Sequence, residues 1–401
     1  MSRCDTAQHA DHFSPLLSEG LKLFFPVAAL HAMLLPLLWV TLFGFDLPFA
    51  RQVPPGQWHA HEMIFGTYGA ALAGFLTSAI PEWTDTAPRR GRALLLLLGL
   101  WLPGRLIGLV GADALIALAA ATDLAFYALL FWYALCPMLE RRNARHASFV
   151  FWVGLFILVE VAIRAAWLAG AYDVSGRLLH AALSIFVIFL SLALARIGVA
   201  VINNALDPSG ETTPYRPHPG RQNLTAALVA LQLAAALFWP TSRVSDWFAL
   251  AAAAAFFDRL AEWFIGRAVL RFEVLALAAA NAFAGLGFLA IGLAGLGAPV
   301  GAATGLHLVS IGALGLAVMA VFVIAGLRHS GYDLVLPAAA KLAFATIACA
   351  GLVRVLPELG IGTAWLGLHY ALAAGLWSAA FAIWLAGYWP ILTRPKSCTG
   401  R

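Results

Sequence analysis

The chain has 401 residues, 62% of them hydrophobic and only 11% charged, with a mean hydropathy of +0.84. A soluble domain carries about 25% charged residues, so the composition excludes a soluble globular protein and points to one embedded in a lipid bilayer. The net charge of +5 calls for no nucleic-acid partner, because the basic residues sort to one side of the apolar segments.

About 12 segments are long and apolar enough to span a bilayer. They are predicted at 21–45, 59–82, 92–112, 113–136, 147–169, 177–204, 223–241, 245–266, 272–296, 302–327, 336–356 and 363–391, an all-α polytopic transmembrane bundle. The first twenty residues are polar and show no cleavable signal, so the first span is expected to serve as an uncleaved anchor. Gly and Pro punctuate the joints at Pro54-Pro55-Gly56, Pro88, Gly104, Gly111, Gly170, Pro299 and Gly360-Ile361-Gly362. Glycines inside spans (Gly74, Gly285, Gly287, Gly312, Gly315) are expected at close helix contacts.

Loops after even-numbered spans carry Arg89, Arg90 and Arg92; Arg141, Arg142 and Arg145; Arg216 and Arg221; Arg267 and Arg271; and Arg328. The tails add Arg3, Lys22, Arg394, Lys396 and Arg401, whereas loops after odd-numbered spans offer only Arg51, Arg177 and Arg243. The positive-inside rule therefore places both termini in the cytoplasm. The longest connection, about 205–222, divides the spans six and six, yet no internal repeat is evident. The expectation is a single membrane domain over 1–401, divided at most into two six-helix halves (about 1–205 and 223–401) joined by a cytoplasmic loop.

Cys4, Cys136, Cys349 and Cys398 are scattered, with no CxxC and no CxxCH. This argues against covalent c-type haem and iron–sulfur ligation, and Cys136 and Cys349 read as small apolar filler. No Walker A motif, GxSxG motif or dinucleotide fingerprint occurs. Trp39, Trp58, Trp83, Trp101, Trp167, Trp239, Trp247 and Trp389 fall near span ends, where belt residues sit.

Histidine placement carries the most chemical information. Trp58-His59-Ala60-His61-Glu62-Met63 opens the second span at its outer end, and His180, His307 and His369 sit at similar depth in the sixth, tenth and twelfth. His31 lies deeper, in the first span. Imidazoles are costly in hydrocarbon, so several at one level suggest a metal site. Residues two apart on a helix point about 200° apart, so His59 and His61 cannot share one metal on a regular turn. His329 lies 22 residues after His307 on one span, about 33 Å away, and cannot join the layer; with His9, His12, His146 and His218 it belongs to the cytoplasmic side. Histidines without thiolates suit copper, haem iron or zinc.

Charges within or near spans are Arg105, Asp123, Glu160, Arg164, Arg196, Asp258, Arg259, Glu262, Lys341 and Arg354. Such groups usually pair in the interior. Glu160 and Arg164 are four apart and can pair along one face; Asp258 and Glu262 share a face while Arg259 points elsewhere. The functional alternative is arginines that neutralise haem propionates and carboxylates that relay protons. Asp123 has no base on its own helix and reads as a relay, and Glu62, beside the histidine layer, as the proton donor to it.

Trp58-His59-Ala60-His61-Glu62-Met63-Ile64-Phe65-Gly66, Gly74-Phe75-Leu76 and Ile80-Pro81-Glu82-Trp83-Thr84 together resemble the signature of the NnrS family. So do Leu306-His307 with Gly312-Ala313-Leu314-Gly315, Arg328-His329-Ser330-Gly331 and the closing Tyr388-Trp389-Pro390-Ile391-Leu392. The likeness covers nearly the whole chain; His31 and His369 fall outside these motifs. The resemblance implies a multi-pass protein of the bacterial inner membrane, with non-covalent haem b and copper, in the response to nitric oxide. Carried over, it implicates His59, His61, Glu62, His180, His307 and His329; among the charges within the spans, Arg105 and Arg164 are the candidate partners of a haem. Three readings follow: reduction of nitric oxide with electrons from quinol or a periplasmic redox protein, non-catalytic binding that protects against nitrosative stress, or transport of copper or a metal complex.

Overall fold

The computed structural model describes residues 15–42, 53–110, 113–142 and 147–394. His9, His12, His146, Arg3, Arg51, Arg145, Lys396, Arg401, Cys4, Cys398, Gly111 and the span ends predicted at 43–45 and 111–112 lie outside these residues. Twelve helices follow one another: α1 Gly20–Leu42, α2 Pro55–Thr84, α3 Arg92–Val110, α4 Ile116–Glu140, α5 Ala147–Leu168, α6 Tyr172–Leu206, α7 Pro219–Phe238, α8 Val244–Arg259, α9 Phe272–Gly295, α10 Ala302–His329, α11 Ala338–Val355 and α12 Leu368–Thr393. Among the described residues ten are long and apolar enough to cross a membrane, while α8, at 16 residues, is shorter. The protein is an all-α, multi-pass membrane bundle.

Most boundaries fall where the apolar pattern places them, and the departures have local causes. α12 begins at Leu368 rather than 363, because Gly360, Gly362 and Gly367 take positive φ of 84°, 72° and 87° and hold the preceding segment in turns. α8 ends at Arg259, where a 3-10 turn over Leu260–Trp263 replaces the last predicted turns. α6 starts at Tyr172, five residues before its predicted start, and runs 35 residues.

Neighbours in sequence pack side by side through most of the bundle, and α12 returns to lie along α1. α2 and α10 form the centre, with 89% and 83% of their apolar windows buried. The two share an unusual construction. α2 is α-helical to His61, a π-helix over Glu62–Tyr68, and α-helical again from Gly69. α10 is α-helical to His307, a π-helix over Leu308–Gly315, and α-helical from Leu316. A π turn disturbs the ordinary i→i−4 ladder and commonly marks a functional site. Here carbonyls in the wide turns gain side-chain donors: Tyr127 Oη donates to Phe65 O at 2.5 Å, Trp101 Nε1 to Gly66 O at 3.1 Å, and Tyr68 Oη to Ser310 O at 2.5 Å. The last bond joins the two π segments directly.

The glycines expected at close contacts are at close contacts. A Cβ on Gly74 would meet the Phe25 ring at 2.8 Å, one on Gly285 the Phe257 ring at 2.6 Å, and one on Gly315 the Trp377 ring at 2.5 Å. Gly287 and Gly312 are equally hemmed in, by Val309 and Phe283. Other expectations are corrected. Trp58 and Trp101 are buried rather than at the lipid belt, because their indoles pack on α3 and on the α2 π turn; Trp239, Trp247 and Trp389 are exposed as belt residues are. Cys349 is exposed and Cys136 half-buried, so neither is core filler.

Candidate metal and proton site

The predicted histidine layer divides in two, as the helical pitch requires. His59 and His61 open α2 on opposite faces of a regular turn, and each meets a different set of helices.

His61 turns toward α4 and α5. Its Nε2 lies 3.0 and 3.1 Å from the two Glu160 oxygens, and its Nδ1 3.4 Å from Glu62 Oε1. Arg164 Nε donates to Glu160 at 2.7 Å, along one face of α5 as the i,i+4 spacing predicts, and its NH2 donates to Asp123 at 2.7 Å. Arg105 from α3 reaches Asp123 at 2.6 Å and Glu62 at 3.1 Å. His31 from α1 closes the network, with Nε2 3.4 Å from Glu62 and Nδ1 2.8 Å from Thr67 Oγ1. Five helices thus contribute to one buried ionic cluster, whose acids Glu62, Asp123 and Glu160 are essentially inaccessible to solvent.

Close approach is built into the backbone. A Cβ on Gly66 would meet His31 Cε1 at 2.7 Å and Arg105 NH1 at 2.9 Å, and one on Gly104 would meet Asp123 Oδ1 at 2.5 Å. The Phe65 ring stacks on His61 at 4.8 Å and excludes water from below.

The cluster holds three carboxylates against two guanidiniums, so one added proton balances it. His61 has a carboxylate near each ring nitrogen, and its Nε2 also lies 3.1 Å from the donor Arg164 NH2. By distance, His61, Asp123 and Glu160 could close on a cation, since one donor atom from each lies within 4.8 Å of the others. The carboxylates already have arginine partners, however, and a cation would compete with two fixed positive charges. That competition counts against a metal ion at this set.

His59 turns the other way, toward α1, α10 and α11. Its ring stacks on Trp39 at 4.6 Å, and its buried Nδ1 has no hydrogen-bond partner. It lies within electrostatic reach of His307 and Arg354. His307 donates from Nδ1 to Ala303 O at 2.7 Å, a bond that fixes the ring and leaves Nε2 as the nitrogen able to ligate. His369, the second residue of α12, accepts at Nδ1 from Gly367 N at 3.1 Å. Its Nε2 therefore carries the proton and faces Glu358 at 3.6 Å. Glu358 also takes Arg354 at 2.5 Å and Thr304 Oγ1 at 2.8 Å.

Two expected members stand apart. His180 is exposed on the surface of α6, because its neighbours Leu179, Ala181 and Ala182 take the buried face. His329 sits at the opposite end of α10, 2.5 Å from Glu19 and 3.8 Å from Glu82, as the 22-residue separation from His307 demands. Arg105 and Arg164, candidates for haem propionates, are paired with protein carboxylates. Asp123, read as a relay because its own helix offers no base, is clamped by both arginines from neighbouring helices. Glu358, Thr304, Thr67, Trp101 and Tyr127 are additions that the sequence reading lacked; only the Arg354–Glu358 i,i+4 spacing could have flagged one of them.

For the haem and copper that the sequence resemblance implies, His59 and His307 fit best. One offers a buried ring nitrogen without a partner, and the other has its ring oriented by a backbone carbonyl. No curated protein and no solved structure shows a match to this chain. The model of the family described as NnrS protein matches residues 15–396, nearly the whole chain. With a bundle of twelve helices and two histidine-led π segments at its centre, the chain belongs to the NnrS family, metal-binding membrane proteins of the nitric oxide response.

Proposed function

We propose that this protein reduces nitric oxide to nitrous oxide in the bacterial inner membrane, using haem b and copper held at the outer ends of α2 and α10. The observation that carries the reading is the buried ionic cluster around Glu62, which lies within electrostatic reach of His59, itself within reach of His307. The overall reaction joins two nitric oxide molecules, two electrons and two protons into nitrous oxide and water. A haem iron and a copper bound at His59 and His307 would supply substrate binding and electron transfer, with electrons from quinol or a periplasmic redox protein.

The chain's own residues would manage protons. Glu62 is the branch point, in contact with both His31 and His61. A proton on His61 Nδ1 can pass to Glu62, and one on Nε2 to Glu160. Arg105 contacts Glu62 at 3.1 Å and Arg164 contacts Glu160 at 2.7 Å, so both acids are held in fixed positions beside His61. Gln57 connects the cluster to the outer end: its Oε1 accepts from Ser175 Oγ at 2.7 Å and from Trp167 Nε1 at 2.8 Å, and the Trp167 ring packs on His61 at 5.2 Å.

The test is haem and metal content of the purified protein, its optical spectrum when reduced, and nitric oxide consumption with a quinol and with a small redox protein as donor. Haem and copper together with catalytic consumption would support the reading. Haem that binds and holds nitric oxide without consuming it would replace reduction by binding. Protein with neither haem nor metal, after growth with both supplied, would sink both.

A further inference from the structure

The cytoplasmic half holds a second buried charge, remote from the histidines. Arg259, the last residue of α8, is 1% exposed. Its NH1 donates to Ser191 Oγ of α6 at 3.0 Å, while its Nε has no acceptor. Among the described residues it makes no ion pair. The nearby acids are otherwise engaged: Asp258 pairs with Arg221 at 2.9 Å, and Glu262 accepts from Tyr215 Oη at 3.4 Å. Glu262 lies within electrostatic reach of Arg259 without forming a direct ion pair, so the buried guanidinium keeps an unfilled donor, and within a membrane bundle such a group marks a functional site by default.

Arg259 lines a cavity of about 10 Å³ together with Ser191, Asn281 and apolar groups such as Leu194 and Phe256. The polar members all offer protons. Ser191 accepts from Arg259 through its oxygen and retains its own O–H to give. Asn281 Nδ2 uses one hydrogen on Leu277 O at 2.9 Å and keeps the other. No carboxylate lines the cavity. It holds about one water-sized sphere. A fixed positive charge, several donors and this size describe a receptor for a small anion, and they exclude phosphate or an organic acid.

We propose that Arg259, Ser191 and Asn281 bind a single halide ion between α6, α8 and α9. The proposal is independent of the nitric oxide chemistry above, and its test needs neither haem nor turnover. Melting curves of purified full-length protein would be recorded in gluconate buffer at constant ionic strength, with sodium chloride, bromide or nitrite added in turn. The expected result is a saturable rise in melting temperature. Saturation by chloride and bromide alone is the expected result; saturation by nitrite, whose three heavy atoms exceed the cavity, would overturn the proposal. Ser191→Ala should raise the apparent dissociation constant about tenfold, the loss of one hydrogen bond to a charged group. Arg259→Met should abolish saturation. Should Arg259→Met fail to fold, Ser191→Ala still decides, as does anomalous scattering from bromide beside Arg259 in a crystal. No saturable response to chloride or bromide, or saturation unchanged in Ser191→Ala, would likewise overturn the proposal.

Discussion

Arg164 is the most informative single position. Its guanidinium holds Glu160 and Asp123 at 2.7 Å each, and those carboxylates have side-chain exposures of 0% and 2%. Replacing it by Met removes one partner from each acid while leaving both buried. Breaking a buried pair on one side costs about 3–5 kcal/mol. Glu160 keeps His61 and Asp123 keeps Arg105, so about 3 kcal/mol is expected for Arg164→Met. Arg164→Lys retains the charge but presents a compact ammonium that reaches one acid at a time, and it should recover about half of the loss. The decisive comparison is Glu160→Gln/Arg164→Met. With the carboxylate gone there is less charge to strand, and the double variant should be at least about 1 kcal/mol more stable than Arg164→Met alone. Reversible unfolding in mixed micelles gives all three values. If Arg164→Met falls within about 0.5 kcal/mol of wild type, an effect typical of ordinary surface sites, the cluster is not the ionic unit described. The same holds if the double variant loses the simple sum of the two single losses.

Three other expectations follow from the same geometry. Gly104→Ala pushes a methyl to 2.5 Å from Asp123 Oδ1 and should cost about 1–3 kcal/mol by overpacking. Gly99→Ala on the same helix meets nothing within 4 Å and should be neutral or slightly stabilising; the reverse order in melting temperature would refute the packing. His59→Ala and His307→Ala should each lose haem or metal on purification, whereas His180→Ala should retain it, and equal retention in all three would remove the outer pair as ligands. Tyr215, in the loop after α6, has its phenol pushed up from 10.0 to about 12, by burial first and then by the Glu262 charge. Its contribution to stability is fully present below pH 10 and fades as the pH rises toward 12. Titration of absorbance at 295 nm should show a lower midpoint in Glu262→Gln, with part of the shift surviving, and an unchanged midpoint would sink that assignment.

The twelve helices are legible in the sequence because apolar length and loop charge are local properties. The pairing of Glu160 with Arg164 is legible for the same reason, and the opposite facing of His59 and His61 follows from pitch alone. What could not be read is which helices stand beside which. Arg105 and Asp123 are 18 residues apart on separate helices, and nothing in either segment tells that their side chains meet. The convergence of His31 on Glu62 likewise depends on α1 lying against α2. His180 matches its fellow histidines in depth but not in direction, and depth is all that a span boundary provides. The π segments have no spacing signature of their own; Gly66 and Gly312 mark them only after the neighbouring rings are known.

Those π segments make the position of the histidines a matter of chain length. A π turn carries an extra residue relative to an α turn, so the part of α2 above Glu62 is held rotated with respect to the part below Tyr68. Removing one residue between 62 and 68 would let the segment rewind as regular α-helix. The turn bearing His59 and His61 would then swing by about 100° and drop by about 1.5 Å. His61 would leave Glu160 and His59 would leave Trp39, although no residue that touches either had been altered. In α2 and α10 an insertion or deletion is therefore a change of chemistry, and the tolerance of helical membrane proteins to length variation should stop at these two places.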